Sequence, residues 1–565
     1  MVNHLVLLYA TRAMQRAARL LPILVLLGCA ESGASGRAPS MPLGASSSEF
    51  TFQAQPGADW YTTRPTPRAV RGGPDAERIE HALLEVGRAR AMELVGDGRL
   101  ADLATFIAAA VDPAGSPPAS SAVDAYARHL GLVEPVPLFM VFGSSRETTL
   151  SQTLEEMMRG APKNVGYNRY GITVVPRFGQ QLAVVVMSAA GAEMEPVSRR
   201  AAPGSKLILR GRLKDRYKHP QLEITLPNGS VKHVAEKAGA DFDFVAPIAQ
   251  RGVHRLELLA DGPYGIEVLA NFPVFAGVDE PTMAPAASTA SPMAQPSDEV
   301  AVAAKLLVLL NAARKAAGAP PLKEHPGLAE VAAAHSQDMV GSGFFGHISP
   351  INGDPAARVR KRGLGFVLIA ENIGRGSTAD EVHTMLLDSP GHRANALDPN
   401  LSHVGIGVVI DPNGGHSQIV ATEEFGGVSK SIDLATAPDD LLRIINARRA
   451  AAGAGKLEVD PVLSDAARRG AALFFQEPSE PQDRIVQRVN GEIVGPLGGR
   501  GSPIARRMRV TQTFLLPVIS LEHATKIEQL FDPAARYVGV GVAQGTRPET
   551  GPDTIGVLVV LGWPR

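Results

Sequence analysis

Cysteine is almost absent. Cys29 stands alone among 565 residues, which excludes any disulfide within the chain. A charge imbalance is absent too: 56 Lys and Arg face 57 Asp and Glu, a net charge of −1, so no global field directs the protein to nucleic acid. The basic cluster Arg358, Arg360, Lys361 and Arg362 reads as a solvated helix face. The apolar run at residues 20–27 is too short to cross a bilayer, and with Arg16 and Arg19 ahead of it residues 1–28 read as an export signal. What the chain does have is 45% hydrophobic residues and length for three or four domains of ordinary size.

Composition and pattern divide that length. Residues 29–48, rich in Ser, Gly, Ala and Pro, read as a flexible tether, and 279–297 as a linker whose PTMAPAASTASPMAQP lacks any apolar period. Ser297 is then expected to cap a helix with Asp298 and Glu299 in its first turn and Leu306, Leu309, Leu310 and Ala313 on one face. A shift of 135 pairs Asn311 with Asn446, Arg314 with Arg449, Gly318 with Gly453, Leu322 with Leu457 and Leu328 with Leu463. At a shift of 134, DPNLSHVGIGV from Asp398 meets DPAARYVGVGV from Asp532, as a duplicated domain at 429–565 requires. A weaker third copy is expected at 49–198, where RLADLA at Arg99 resembles GLAEVA at Gly327 and NRYGITVV at Asn168 resembles SHVGIGVV at Ser402. Between the copies, 199–278 alternates apolar and polar residues around Pro227-Asn228-Gly229, which predicts a small immunoglobulin-type β-sandwich acting as a spacer.

Candidate chemistry is confined to 298–428. His347 lies in FFGHISP, Glu371 in AENI and His392 in SPGHRANALDP, each at a turn or at the edge of an apolar segment. Two imidazoles and one carboxylate suit either a divalent metal such as zinc with open positions or a proton-transfer pair. His335, on the apolar stripe formed with Leu328, Val331, Ala332 and Met339, reads as a core histidine held by a hydrogen bond. The order HSQDM, FFGHISP, AENI, SPGHRANALDP and VGIGVVI resembles the bacterial branch of the CAP superfamily of cysteine-rich secretory, antigen 5 and pathogenesis-related proteins.

That resemblance implies an α+β fold: a CAP-like α-β-α sandwich with an intact cleft at 298–428, degenerate copies at 49–198 and 429–565, and the all-β domain between. It also implies a cleft of two histidines and two acids, with His347, Glu371 and His392 as three of them and Asp388, beside Ser389, as the fourth. The tryptophan usual just upstream is replaced by Leu386 and Leu387. At the shifted positions of the duplicate, His335 becomes Gly470 and His392 becomes Lys526, so its cleft is expected to be empty of this chemistry. Leu26-Leu27-Gly28-Cys29 resembles the bacterial lipobox, which implies a lipidated Cys29, and Ala30 after it implies outer-membrane sorting. The function expected is a lipid-anchored envelope protein that binds a lipid, sterol or envelope-protein ligand, with a metal-assisted hydrolase of envelope peptides or lipids and a purely structural protein as alternatives. Metabolic labelling with a fatty-acid analogue is expected to mark the wild-type chain and not Cys29→Ser; equal labelling of both would remove the anchor.

Overall fold

The computed structural model describes residues 24–25, 57–112, 117–135, 137–144, 150–159, 161–280, 298–411, 419–494 and 507–565, a mixture of α and β structure. Cys29, the tether and residues 281–297 of the linker lie outside the described residues. In the central unit, Asp298 accepts from the amides of Val300 (2.9 Å) and Ala301 (3.2 Å), so helix Glu299–Ala316 is capped one position later than Ser297. This helix buries Leu306, Leu310 and Ala313, leaves Leu309 half-buried, and stops before Gly318, whose φ of 74° suits glycine. Strands follow the order Leu368–Gly376, Ile419–Gly427, His403–Ile410, Lys323–Glu324, antiparallel except for the last pair. Leu24–Val25 adds a short parallel strand beside Leu368 and Ile369.

The same order occurs twice more. Towards the N-terminus it runs Leu138–Ser144, Gln180–Ser188, Arg169–Arg177, Val95–Gly96. Towards the C-terminus it runs Met508–Val518, Gly551–Pro564, Tyr537–Arg547, Glu458–Val459, again with a parallel last pair.

The repeated residues have physical work to do. A Cβ added at Gly405 or Gly407 would collide with the backbone of Leu328–Ala329 or Ala332–Ala333, so helix Pro326–Ser342 lies on strand His403–Ile410 with no side chain between them. Gly539 and Gly541 meet the backbone of helix Pro461–Gln476 in the same way, and Gly171 meets Leu100 and Ala101 of helix Gly98–Ala110. Arg314 is fully buried and donates to the carbonyls of Pro320 (2.7 Å), Ala396 (2.8 Å), Asp398 (3.0 Å) and Leu401 (3.1 Å). Arg449, its counterpart at the shift of 135, is equally buried and donates to the carbonyls of Gly455, Leu530, Asp532 and Ala535. Each guanidinium satisfies the open carbonyls of a chain turn that would otherwise be buried without donors.

Between the first and central units, two sheets share one apolar core. One has the order Arg200–Ala201, Gly265–Ala276, Gly252–Gly262, Lys218–Thr225, Val231–Glu236; the other has Asp241–Ile248, Ser205–Leu213, Ala192–Met194. The alternating residues Leu207, Leu209, Leu222, Ile224, Leu226, Leu256 and Leu258 all face inward. The sheets begin at Ala192 rather than 199, and the unit is no spacer: Glu257, Tyr264, Asn271 and Gly229 hydrogen-bond to the central unit. Period-two alternation reports which side chains enter a core and carries no information on what the sheet edges meet.

Gly407→Val is expected to cost about 3 kcal/mol or more through overpacking. Gly341→Ala, whose new methyl meets nothing, is expected to gain up to about 1 kcal/mol of helix propensity. Urea unfolding of the two variants checks this, and comparable stabilities would refute the close-contact account.

Candidate functional site

Three local devices bring the expected residues together. Gly343, at φ 69°, ends helix Pro326–Ser342 and releases the loop that carries His347. Strand Leu368–Gly376 carries Glu371, which is fully buried. Ser389 caps helix Pro390–Leu397 through the His392 amide (3.4 Å) and so fixes His392 in its first turn. His347 Nδ1 lies 2.8 Å from Glu371 Oε1, and the His347 and His392 rings are 6.3 Å apart between centroids. His347, Glu371 and His392 therefore occupy one cluster.

Its remaining members come from elsewhere. Arg358 hydrogen-bonds to Glu371 Oε2 and donates to the carbonyls of His347 (2.9 Å) and Gly353 (2.9 Å). It is buried in helix Pro355–Lys361, so the basic cluster is not uniformly a solvated face. His335 donates through Nε2 to the Gly346 carbonyl (3.1 Å), as a core histidine should, and the same nitrogen lies 3.8 Å from Glu371 Oε1. Glu424, facing Glu371 across the sheet, supplies the second buried carboxyl of the cluster. On the other face of the sheet, Asn372 donates to the His392 carbonyl (3.1 Å) and to Glu423 (3.0 Å), and Asn395 donates to the Glu371 carbonyl (3.2 Å). Asp388 stands with its carboxylate 3.5 Å from Arg255 of the all-β unit.

Electrostatics fixes the protonation states. Burial alone would raise Glu371, but Arg358, then His335 and the bond from His347, hold it well below the usual carboxylate range. Glu424 is pushed well above that range by burial and by the charge of Glu371. Burial, opposed by the bond from Asn372, raises Glu423 to about 7. Burial, reinforced by His347, lowers His392 to about 3, and burial likewise lowers His335. Near neutral pH the cluster holds an ionised Glu371 against Arg358 and neutral His335 and His392, with Glu424 biased towards its protonated form. Each oxygen of Glu371 already accepts from a nitrogen donor, His347 Nδ1 on one side and Arg358 on the other. Among the described residues no group of three or more His, Cys, Asp or Glu is arranged to hold a metal.

Two of these residues left a trace in the sequence. Glu423 and Glu424 are adjacent in IVATEEFGG, and neighbours on a strand point to opposite faces, so in a strand buried on both sides each carboxyl must be interior. Arg358 gave no comparable signal inside a run of basic residues. Sheet register shows what the other two units put here. Opposite Gly405 and Gly539 stand Glu424 and Val560; opposite these, in turn, stand Glu371 and Thr513. In the first unit Gly171 faces Val186, which faces Phe139. Gly470 replaces His335, and a Cβ there would meet Leu558 and Val489, so hydrocarbon fills the position of the ionic cluster.

Residues 307–425 match the family model described as CAP: Cysteine-rich secretory protein family. Uncharacterized protein YkwD of Bacillus subtilis (strain 168) is 36% identical over 157 residues, which cover 27% of this chain and 59% of that protein. Uncharacterized membrane protein YlbC of the same organism is 33% identical over 108 residues, 18% of this chain and 30% of that one. The chain thus spans less than two thirds of either relative. Among solved structures, an extracellular protein containing a SCP domain from Bacillus anthracis str. Ames aligns at 18% identity over 42% of this chain and 87% of that one, with a TM-score of 0.21.

The depressed pKa of His392 has a signed consequence. As pH falls from 6.5 towards 3, the unfolded chain takes up a proton that the native ring refuses, so stability is lost across that window. Glu371 adds its own loss only below its ordinary 4.5, and Glu424 acts oppositely, weakening the fold as pH rises above 4.5. The stability difference between wild type and His392→Gln is therefore expected to shift against wild type between pH 7 and pH 5. Equal differences in urea midpoint at the two pH values would show that His392 titrates alike in both states.

Proposed function

Because residues 307–425 form a CAP domain of bacterial type, we propose that the chain is an extracytoplasmic binding or interaction protein, tethered through Cys29 to a bacterial envelope membrane and offering its central cleft to a lipid, sterol or envelope-protein ligand. The observation that carries this reading is the pairing of Glu371. With one oxygen bonded to His347 and the other to Arg358, the carboxylate is held as the partner of a buried guanidinium, which lowers its basicity and makes it a poor general base. The neutral His392 beside it adds polarity without charge. Such a cluster holds a cleft in shape and presents hydrogen-bonding edges, which suits recognition better than hydrolysis. The export signal supports the location, and among the described residues no helix is long and apolar enough to cross a membrane. The outer membrane is the proposed site, following from Ala30 after Cys29.

The test uses natively purified full-length protein, with a fluorescent fatty acid and a fluorescent sterol as probes, metal analysis, and envelope-derived peptide and lipid substrates. Saturable binding of a probe without turnover is expected, weakened about tenfold, or about 1.4 kcal/mol, by His347→Ala with His392→Ala. Stoichiometric zinc lost in that double variant, together with cleavage lost in Glu371→Gln, would replace the binding reading with a hydrolase. Absence of probe binding, metal and turnover would leave a structural role.

A further inference from the structure

Contacts from outside the central unit converge on the two pieces of chain that carry its cleft histidines. The loop at 343–348 is gripped twice. From the first unit, the Lys163 amide donates to the Gly343 carbonyl (2.9 Å), and the Asn164 side chain both accepts from the Phe345 amide and donates to its carbonyl, each at 2.8 Å. From the all-β unit, the Tyr264 carbonyl accepts from the Ile348 amide (2.8 Å), and the Tyr264 ring stacks on Phe344 at 5.6 Å. The turn at 389–393 is held by the same all-β unit. Glu257, fully buried, accepts from Ser389 Oγ (3.0 Å) and from the Gly391 amide (3.1 Å), the Asn271 side chain donates to the Asp388 carbonyl (3.3 Å), and Arg393 donates to the Gly229 carbonyl (3.0 Å).

Between these anchor points the hairpin of the all-β unit meets a cleft residue directly. Gly265 has φ of 104°, and a Cβ there would lie 3.2 Å from His347 Cβ and 3.4 Å from Ile348 Cγ1. A side chain at this position would be strained in its backbone and would press on the loop bearing His347.

We infer that the all-β unit is a lid docked across the edge of the central cleft where His347 and His392 meet, held at the His347 loop by Tyr264 and Gly265 and at the His392 helix by Glu257. A ligand approaching the two imidazoles from that edge must displace it. The two holdfasts belong to one sheet, on adjacent strands Gly252–Gly262 and Gly265–Ala276, so they release together. This inference rests on the proposed reading of the cluster as a ligand cleft and is independent of which ligand that cleft takes.

Native-state hydrogen exchange on the full chain, read on peptides covering 344–351 and 388–393, tests it, because the Ile348 and Gly391 amides both donate across the junction. Glu257→Ala, which touches only the second segment, is expected to speed exchange in both by about tenfold, and Gly265→Val, which touches only the first, to do the same. A peptide covering 557–561 in the C-terminal core should stay protected and reports that the chain remains folded. If Glu257→Ala does not fold, Glu257→Gln takes its place. Acceleration confined to the segment each substitution touches would overturn the lid, as would wild-type exchange at both segments as fast as in an unfolded chain.

Discussion

In each of the three α/β units, a helix lies against a strand at a distance that admits no side chain. Helix and sheet normally meet through interleaved side chains; here Gly405 and Gly407, Gly539 and Gly541, and Gly171 remove them, and helix backbone rests on strand backbone. Everything else in the unit is measured from that contact. It fixes the depth at which helix Pro326–Ser342 sits, hence where its C-terminal loop emerges, hence where His347 is delivered relative to the strand bearing Glu371. The arginine at the end of the preceding helix performs the complementary task, collecting carbonyls of the turn that leads into the glycine-bearing strand. Such a pair of constraints explains why a copy can lack the buried polar cluster and keep its fold.

The buried polar cluster is governed by the cost of burying charge. One carboxylate in a dry interior demands a partner, and Arg358 provides it. A second carboxyl, Glu424, is pushed towards its protonated form by burial and by the charge of the first. In the other two units the same positions hold Val, Thr and Phe, which need no such compensation. The first unit places its own buried ion pairs elsewhere, among Asp97, Arg99, Arg169 and Glu134, so among the described residues the central unit is the one that puts buried charge at these sheet positions.

The sequence was most legible where one physical cause leaves one residue type. Glycines at a backbone contact, an arginine under a turn and an asparagine bridging a loop repeat at fixed shifts, so the duplicated architecture is legible in the sequence, whereas the grouping of His347, Glu371 and His392 follows from the family resemblance. Asn311, matched to Asn446, bonds both the amide and the carbonyl of Leu322. Arg358 is hidden because it sits in a run with the exposed Lys361 and Arg362 and the half-buried Arg360, and sequence does not mark which one turns inward. Asp388 is implied as a cleft acid by the family resemblance alone, but its carboxylate stands by Arg255, whose proximity depends on how two units dock. The role of the all-β unit was missed for the same reason. Docking is written in hydrogen bonds from backbone and from single polar side chains, which leave no periodicity.

Asn164 and Phe345 are bonded across a separation of 181 residues, and Glu257 reaches Gly391 across 134. Contacts so distant along a chain form late, since the loop closed by each must first be drawn together. In synthesis from the N-terminus, residues 163–164 and 257–264 are made and can fold before the loop and turn they grip have left the ribosome. The central unit thus has a prepared mould: its local elements fold onto their glycines, and the two histidine-bearing segments then settle against surfaces already in position. Residues 298–428 expressed by themselves would keep the helix-on-strand contact and lose the mould, so their histidines would be free to adopt spacings that the full chain does not permit.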